Sequence, residues 1–369
     1  MSIAGSVSIV AARRTPIGTA GHGLASLNAA ELAAAVLPVV LADAALPVEQ
    51  VGEVVLGNCT GPGGDLARYA ALRAGLGTGV PGLTVDRQCG SGLAAVEVGA
   101  ALLGSGVGPV VLAGGVESAS TSPRPGRAPF APVEFGDPEM GEAADHVARL
   151  RGISRERQDG YALRSHTRAA EASARGFFDT ELVAVGGLVR DERPRPGMSP
   201  ARLARMRPIF GPEGTATAGN SCGVNDGAAV VALLADDERR RRGLPGLRIL
   251  ATATAGVPPT TPGLGLVPAV RVALQRAGVG LDELAAIELN EAFAGQVLAC
   301  CDDLGLDPAR ICADGGAIAL GHPWGASGAV LLVRLFSQLV RAQRFGELGL
   351  AAISVGGGQG VAMVVESCR

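Results

Sequence analysis

The sequence has no concentration of charge of either sign. Its 369 residues include 32 basic and 35 acidic side chains that are interspersed, for a formal net charge of −3. A nucleic-acid-binding chain usually carries a basic stripe, and a solvating tail carries a run of like charges. The composition therefore predicts no nucleic-acid partner and favours small-molecule ligands.

The sequence also lacks an uninterrupted apolar segment of the kind that crosses a membrane. Two uncharged stretches, 98–116 and 348–365, approach the necessary length, but glycines break both of them. The opening residues, MSIAGSVSIVAARRTP, contain no basic segment followed by a long apolar one and a cleavage site. We therefore expect no membrane association and a cytoplasmic location.

Cysteine is present in an odd number, seven, and without paired CxxC spacing. This pattern suggests neither a disulfide framework nor a zinc site, so we expect no bound metal. Free cysteines usually pack as small hydrophobic residues, and each is treated as structural unless its surroundings indicate otherwise.

Apolar residues make up 47% of the chain, and short aliphatic runs such as PVVLAGG and LAAISVGGG alternate with Ala/Leu-rich stretches. This alternation predicts an α/β protein with buried strands. Proline, arginine and glycine accumulate between about 118 and 220, which predicts an inserted loop domain. The segments DRQCGSGLAAVEVGAALLGSG and DGGAIALGHPWGASGAVLLVRL echo one another. They suggest two similar halves whose interface is a natural place for a ligand.

Cys89 is the strongest candidate nucleophile. It lies in QCGSGLAAV, between a predicted strand and a helix that begins near Ser91. Free backbone amides and the helix dipole at such a position are expected to lower the thiol pKa and favour the thiolate. The alternative is a cysteine that merely packs in a turn.

His322, in GGAIALGHPWGASG, is a plausible base for that thiol, although a single histidine is more often structural. The other three histidines, His22, His146 and His166, are expected at the surface. Asn290, in ELNEAFAG, either belongs to a helix-capping box or donates to a developing oxyanion. The glycines of SVGGGQG either turn the chain or bring backbone N–H groups to a ligand oxygen.

Taken together, these segments resemble the thiolase family over nearly the whole chain. The motifs that carry the resemblance occur in the family's order: ARRTPIGTAGHGL, VDRQCGSGLAAV, VVLAGGVESAS, GTATAGNSCGVNDGAA, NEAFAGQ, GGAIALGHPWGASG and VGGGQG. The resemblance implies a five-layered αβαβα core built from two βαβ-type halves. It divides the chain into an N-terminal half at 1–118 plus 223–245, a loop domain at 119–222 and a C-terminal half at 246–369.

The resemblance also implies residue roles. Cys89 would accept an acyl group from a coenzyme A thioester, and His322 would activate it. Asn290 would position a water in the oxyanion hole, and the N–H groups of Cys89 and Gly356 would stabilise tetrahedral intermediates. Coenzyme A thioesters are then substrates, and no cofactor is bound permanently.

Four positions depart from the family's pattern. Ser354 stands where thiolases usually carry a second cysteine, which moves the α-proton of the second substrate; a serine hydroxyl is far less acidic than a thiol. Cys222 replaces a small hydroxyl residue near the pantetheine arm, Pro262 replaces a methionine near the acyl end, and Trp324, the only tryptophan, follows the GHP turn. The changes predict an altered acyl pocket, with Cys222 packing rather than compensating for Ser354.

Three functions remain open at this point. The first is thiolysis or Claisen condensation through acyl-Cys89, and the second is a specialised transfer to a non-CoA acceptor or a decarboxylative condensation. The third is a non-catalytic, acyl-CoA-binding subunit, which the retained Cys89 and His322 make less favoured. The stretch from Ser120 to Met140 is shorter than in tetrameric relatives, so we predict a homodimer.

Overall fold

The computed structural model of the chain describes residues 6–123 and 127–369. Residues 1–5 of the predicted first half and residues 124–126 of the predicted loop domain lie outside the described residues. The described residues form ten strands: β1 Val7–Arg14, β2 Gly18–Thr19, β3 Val51–Gly57, β4 Gly82–Val85, β5 Val110–Ser118, β6 Asn225–Ala235, β7 Gly246–Gly256, β8 Leu284–Leu289, β9 Leu348–Val355 and β10 Gln359–Cys368.

The helices surround these strands and fill the space between them. Those of the described residues are α1 Ala29–Asp43, α2 Leu66–Arg73, α3 Ser91–Gly104, α4 Met140–Leu150, α5 Arg155–Ala174, α6 Pro200–Ala204, α7 Asp236–Arg242, α8 Leu266–Ala277, α9 Ala294–Leu304, α10 Ala317–Leu320 and α11 Trp324–Leu335. A π-helical segment, Phe336–Arg341, continues α11. Among the described residues, we find no helix that is both long and apolar enough to traverse a bilayer.

The described strands form one hydrogen-bonded sheet in the order β4-β3-β5-β6-β1-β7-β10-β9-β8, with β2 beside β6. The strands up to β1 come from the first part of the chain and those from β7 onward from the second. The two sets join where Ser8 and Ile9 of β1 pair with Arg248 and Leu247 of β7. The sheets of the two halves therefore share an edge.

Three apolar clusters define the layers. Helices α3 and α11 pack between the two sets of strands and share a core with both of them. Helices α1 and α2 cover the outer face of the first set, and α8 and α9 cover the outer face of the second. The αβαβα arrangement expected from the sequence is confirmed.

The two halves repeat one topology. In the first, β4, β3 and β5 are parallel, and β6 and β1 follow antiparallel. In the second, β8 and β9 are parallel, and β10 and β7 follow antiparallel, while Ile311 forms a parallel bridge in the place of β4. Helices α3 and α11 each lead into the equivalent strands β5 and β9. The placement of the domain boundaries stays a prediction.

Candidate active site

The N-termini of the two central helices bring Cys89 and His322 into one region. Cys89 lies two residues before α3 begins, and His322 lies two residues before α11 begins. Glycines let the helices approach closely, since a Cβ atom built on Gly92 of α3 would lie 2.8 Å from the carbonyl oxygen of Gly325 in α11. The internal repeat thus places one reactive group from each half at the same end of the middle layer.

A single pocket contains every site residue that the sequence predicted. Its volume is about 90 Å³ and its lining is mostly apolar. The predicted residues in its wall are Cys89, Cys222, Pro262, Asn290, His322, Trp324, Ser354 and Gly356. They come from six separate chain segments, which only the fold brings together.

The turn before α3 presents the thiol of Cys89 to this pocket. Gln88 has a φ of 45°, in the left-handed region that non-glycine residues rarely adopt. The hydroxyl of Ser91 accepts from the N–H of Arg87 and donates to the carbonyl of Gln88, which stabilises this tight turn. Cys89 itself keeps partial exposure toward the pocket, and protein atoms surround it on the other sides.

Burial, together with smaller effects of the nearby Cys222 and Glu117, raises the pKa of Cys89 to about 12. Hydrogen bonds from the N–H groups of Gly356 and of Cys89 itself act in the opposite direction. The sequence-based expectation of a lowered pKa is therefore wrong for the resting site. Desolvation of the thiolate outweighs the local amides, so Cys89 rests as a neutral thiol.

His322 is 2% exposed and held at three points. Its backbone N–H donates to Asn225 Oδ1 at 2.9 Å, its Nδ1 lies 2.6 Å from Ser327 Oγ, and its Nε2 lies 3.5 Å from Asn290 Nδ2. Ser327 Oγ donates to the carbonyl of Pro323 at 3.1 Å, so it accepts from an Nδ1–H group of His322. This tautomer leaves Nε2 unprotonated, with its lone pair facing the Asn290 amide at 3.5 Å and able to accept a proton.

Desolvation lowers the pKa of His322 to about 4, so the ring is neutral at physiological pH. A neutral imidazole in the same pocket as a neutral thiol is competent to accept the thiol proton when a substrate carbonyl is attacked. His322 can therefore serve as the base and Cys89 as the nucleophile, although both are neutral in the resting site.

Asn290 follows the end of β8, and its backbone N–H donates to the carbonyl of Ala352 in β9. It does not cap the next helix, because α9 begins at Ala294 after Phe293 and has no side-chain cap. The helix-capping interpretation of Asn290 is therefore wrong, and its amide points to the His322 ring instead.

Ser354 lies on β9, and its hydroxyl both donates and accepts a hydrogen bond. The hydroxyl donates to the carbonyl of Gly263 at 2.7 Å and accepts from the N–H of Leu266 at 3.1 Å. Two further donors reach the same Gly263 oxygen, Gln296 Nε2 at 3.1 Å and Cys300 Sγ at 3.2 Å. Ser354 is thus bonded to the turn that carries Pro262.

The remaining predicted residues shape the pocket. Gly356 packs so closely on the Phe130 ring that a Cβ atom there would lie 2.8 Å from a ring carbon. The N–H of Cys222 donates to the carbonyl of Ala292, and burial raises the pKa of its thiol to about 12. Pro262 begins a 3-10 turn, and Trp324 is the first residue of α11.

Sequence reasoning missed several participants. Ser327, the partner of His322, lies five residues further along the chain, and the signal available was its position on the first turn of the helix after the GHP turn. Met140, Phe293 and Gln296 also line the pocket. The expectation that His166 lies at the surface is wrong: it is fully buried on α5 and its Nε2 is 3.2 Å from the carbonyl of Gly219.

Comparisons with known proteins identify the family. Residues 7–237 match the family model for the thiolase N-terminal domain, and residues 245–367 match that for the thiolase C-terminal domain. A putative acetyl-CoA C-acetyltransferase of Bacillus subtilis is 43% identical over 363 residues, covering 97% of this chain and 98% of that protein. An acetyl-CoA acetyltransferase of Pseudomonas aeruginosa is 42% identical over 389 residues, with the same coverage.

Among solved structures, the crystal structure of the Bacillus anthracis acetyl-CoA acetyltransferase superposes with a TM-score of 0.92. It is 37% identical, and the match covers 100% of both chains. Both family models, the relatives and the fold agree along the chain's length. The chain therefore belongs to the thiolase family.

Proposed function

We propose that this thiolase is an acyltransferase that forms an acyl-Cys89 intermediate from an acyl-CoA thioester. The Cys89 sulfur attacks the thioester carbonyl while His322 Nε2 accepts the thiol proton. The bond between the carbonyl carbon and the coenzyme A sulfur then breaks, and His322 returns the proton to the departing thiolate. The observation that carries the proposal is that Cys89 shares its pocket with a neutral histidine whose Nε2 is unprotonated.

The negative charge that develops on the substrate carbonyl oxygen during attack is stabilised by hydrogen-bond donors that are already in position. The backbone N–H groups of Gly356 and Cys89 already reach the Cys89 sulfur, which supports them as donors to the oxygen of a tetrahedral intermediate. Asn290, beside His322, is assigned to hold a water for the same purpose. Cys222, Pro262 and Trp324 are assigned to contact the substrate.

In the second half-reaction, acyl-Cys89 passes its acyl group to coenzyme A, as in thiolysis, or to the α-carbon of acetyl-CoA, as in Claisen condensation. Condensation requires removal of an α-proton. The hydroxyl of Ser354 is bonded to Gly263 and Leu266, and a hydroxyl is too weak an acid and its alkoxide too high in energy for easy proton exchange.

Because the Ser354 hydroxyl is already hydrogen-bonded to Gly263 and Leu266, a second kind of acyl acceptor is favoured, one that needs no α-proton removal. A malonyl-type thioester forms its enolate by losing CO₂, and an amine or alcohol needs no enolate at all. Both acceptors bypass the missing proton shuttle. Either would leave the acylation of Cys89 unchanged.

Intact-protein mass spectrometry with a panel of acyl-CoAs tests the first step. We expect a mass gain of one acyl group in the wild type, none in Cys89→Ala, and retention of the gain in Cys222→Ala. A chase with coenzyme A, acetyl-CoA, malonyl-CoA or simple amines then identifies the acceptor. Failure of every acyl-CoA to label Cys89 would favour the non-catalytic binding subunit instead.

We further propose that the enzyme acts as a homodimer in the cytoplasm. The short connection between β5 and α4 supports the dimer, because tetrameric relatives use a longer loop there.

A further inference from the structure

A small internal cavity lies behind the active-site pocket, between β8 and α11. Its walls include Glu288 on β8, Asn290 just after it, and Ser327 and Arg334 on α11. Side chains two apart on an extended segment share a face, as do side chains seven apart on a helix. The cavity therefore lies between one polar face of each element, and all four of these residues are at most 3% exposed.

The cavity measures about 20 Å³, which exceeds the ~10–15 Å³ that one water molecule requires. Its wall carries a donor that needs an acceptor: Arg334 Nε is buried and has no hydrogen-bond partner among the described residues. Glu288 Oε1 accepts from Gln338 Nε2 at 2.8 Å, and Glu288 lines the same cavity as Arg334. A water with two to four polar neighbours satisfies such groups.

We propose that a water molecule in this cavity links Glu288 to Asn290 and Ser327, which makes Glu288 a positioning residue for His322. This inference rests on the proposed acylation of Cys89. Ser327 holds Nδ1 of the His322 ring, and Asn290 lies beside Nε2. A group that fixes both partners controls the orientation of the ring and the energy of the imidazolium formed during acylation.

The charge of Glu288 then affects that imidazolium. Four charged or titratable side chains act on Glu288: Arg334 favours its ionised form, whereas Asp314, Glu291 and the thiol of Cys312 oppose it. Burial is the largest effect and raises the pKa of Glu288 to about 8. Above that pH the carboxylate is negative and stabilises a positive His322, whereas below it the carboxyl group is neutral and does not.

The test compares the pH profile of Cys89 acylation in the wild type, E288Q and D236N. Glutamine keeps the shape of Glu288 without its ionisation. Asp236 is a buried carboxylate with partners of its own, Ser8 and Arg239, far from the pocket, so D236N controls for losing a buried charge. Single-turnover acylation rates with one acyl-CoA are measured between about pH 6 and pH 9.5, because the wild type and E288Q differ in charge only where Glu288 is ionised. Thermal melting of each variant is measured alongside to check that it folds.

We expect E288Q to acylate within about twofold of the wild type at pH 6 and about tenfold more slowly at pH 9.5, equal to a shift of about one pKa unit. D236N should show the same ratio at every pH. Equal profiles for E288Q and the wild type, or a loss in E288Q that does not depend on pH, would overturn the role of Glu288. Absence of acylation in the wild type would instead refute the proposed function.

A high-resolution crystal structure of the wild type tests the water without any variant. We expect density for one water within hydrogen-bond distance of Glu288, Asn290 and Ser327, with Arg334 Nε as a further donor to it. An empty cavity, or one filled by a shifted side chain, would overturn the link even if E288Q failed to fold.

Discussion

The hydroxyl of Ser354 donates a 2.7 Å hydrogen bond to the carbonyl oxygen of Gly263. This bond ties β9 to the 3-10 turn that carries Pro262 into the pocket. The hydroxyl proton is therefore directed at a backbone oxygen and away from any substrate. Ser354 anchors the turn that carries Pro262, and its contribution to proton transfer is expected to be small.

Replacing Ser354 with cysteine should restore a proton shuttle. General acid–base groups contribute about 10²- to 10⁴-fold to rates, so S354C should raise the condensation of acetyl-CoA by about 100-fold or more. The rate of 3-ketoacyl-CoA formation, followed by its ultraviolet absorbance, measures this. Ser354→Ala is the matched control and should not raise the rate. A wild type that condenses as fast as S354C would show that another group already moves the proton.

The pH dependence of acylation should follow His322. Because burial lowers the pKa of His322 to about 4, the ring is a free base above that pH and loses this function as the pH falls toward it. We therefore expect the loss that His322 causes only below about pH 5, separate from the change near pH 8 that Glu288 causes, whereas an ordinary histidine would lose activity near 6.5. Single-turnover acylation with rapid acid quench measures the profile. A midpoint near 6.5 would mean that the pocket admits water around the ring.

Removing the partner of Nδ1 should slow acylation. In Ser327→Ala the buried Nδ1–H loses its acceptor, which costs about 1–3 kcal/mol and corresponds to about a tenfold to hundredfold lower rate. Ser337→Ala removes another buried hydroxyl, the acceptor for Arg341 Nη1, from the π-helical continuation of α11. This control should melt at a lower temperature without a comparable loss of rate. Equal rate losses in both variants would indicate a general effect of helix stability.

Cys222 is expected to pack without taking part in proton transfer. Its high pKa keeps it a neutral thiol, so Cys222→Ser should acylate within about twofold of the wild type. Acyl labelling followed by peptide mass spectrometry checks both the rate and the labelled residue. A loss of more than about tenfold in condensation alone would assign Cys222 to the step that Ser354 does not perform.

The oligomeric state can be measured directly. Light scattering coupled to size exclusion should give twice the chain mass at micromolar concentration, because closed two-fold assembly is the commonest arrangement. A single peak at four times the chain mass would contradict the dimer.

Much of the site could be predicted from the sequence because its residues lie in glycine-rich turns at strand ends, next to helices with clear patterns. Cys89, His322 and Gly356 stand in such turns, Asn290 directly follows β8, and the pocket contains each of them. The echo between the segments around Cys89 and His322 likewise predicted two halves, and the strand order repeats accordingly. Glu288 was missed because a strand glutamate carries no local signal. Ser327 was missed because its only signal, a place in the first turn of the helix after the GHP turn, is shared by many ordinary helix serines.

The sequence by itself determined the family, the layered α/β architecture and the candidates for the reactive groups, since these depend on local pattern and residue type. The tertiary structure decided their ionisation and their partners. The helix dipole that favours a Cys89 thiolate is a local effect, whereas desolvation comes from atoms throughout the fold and outweighs it, leaving a neutral thiol beside a neutral His322. The same holds for Ser354, whose bond to Gly263 joins positions 91 residues apart and exists only once β9 packs against the turn before α8.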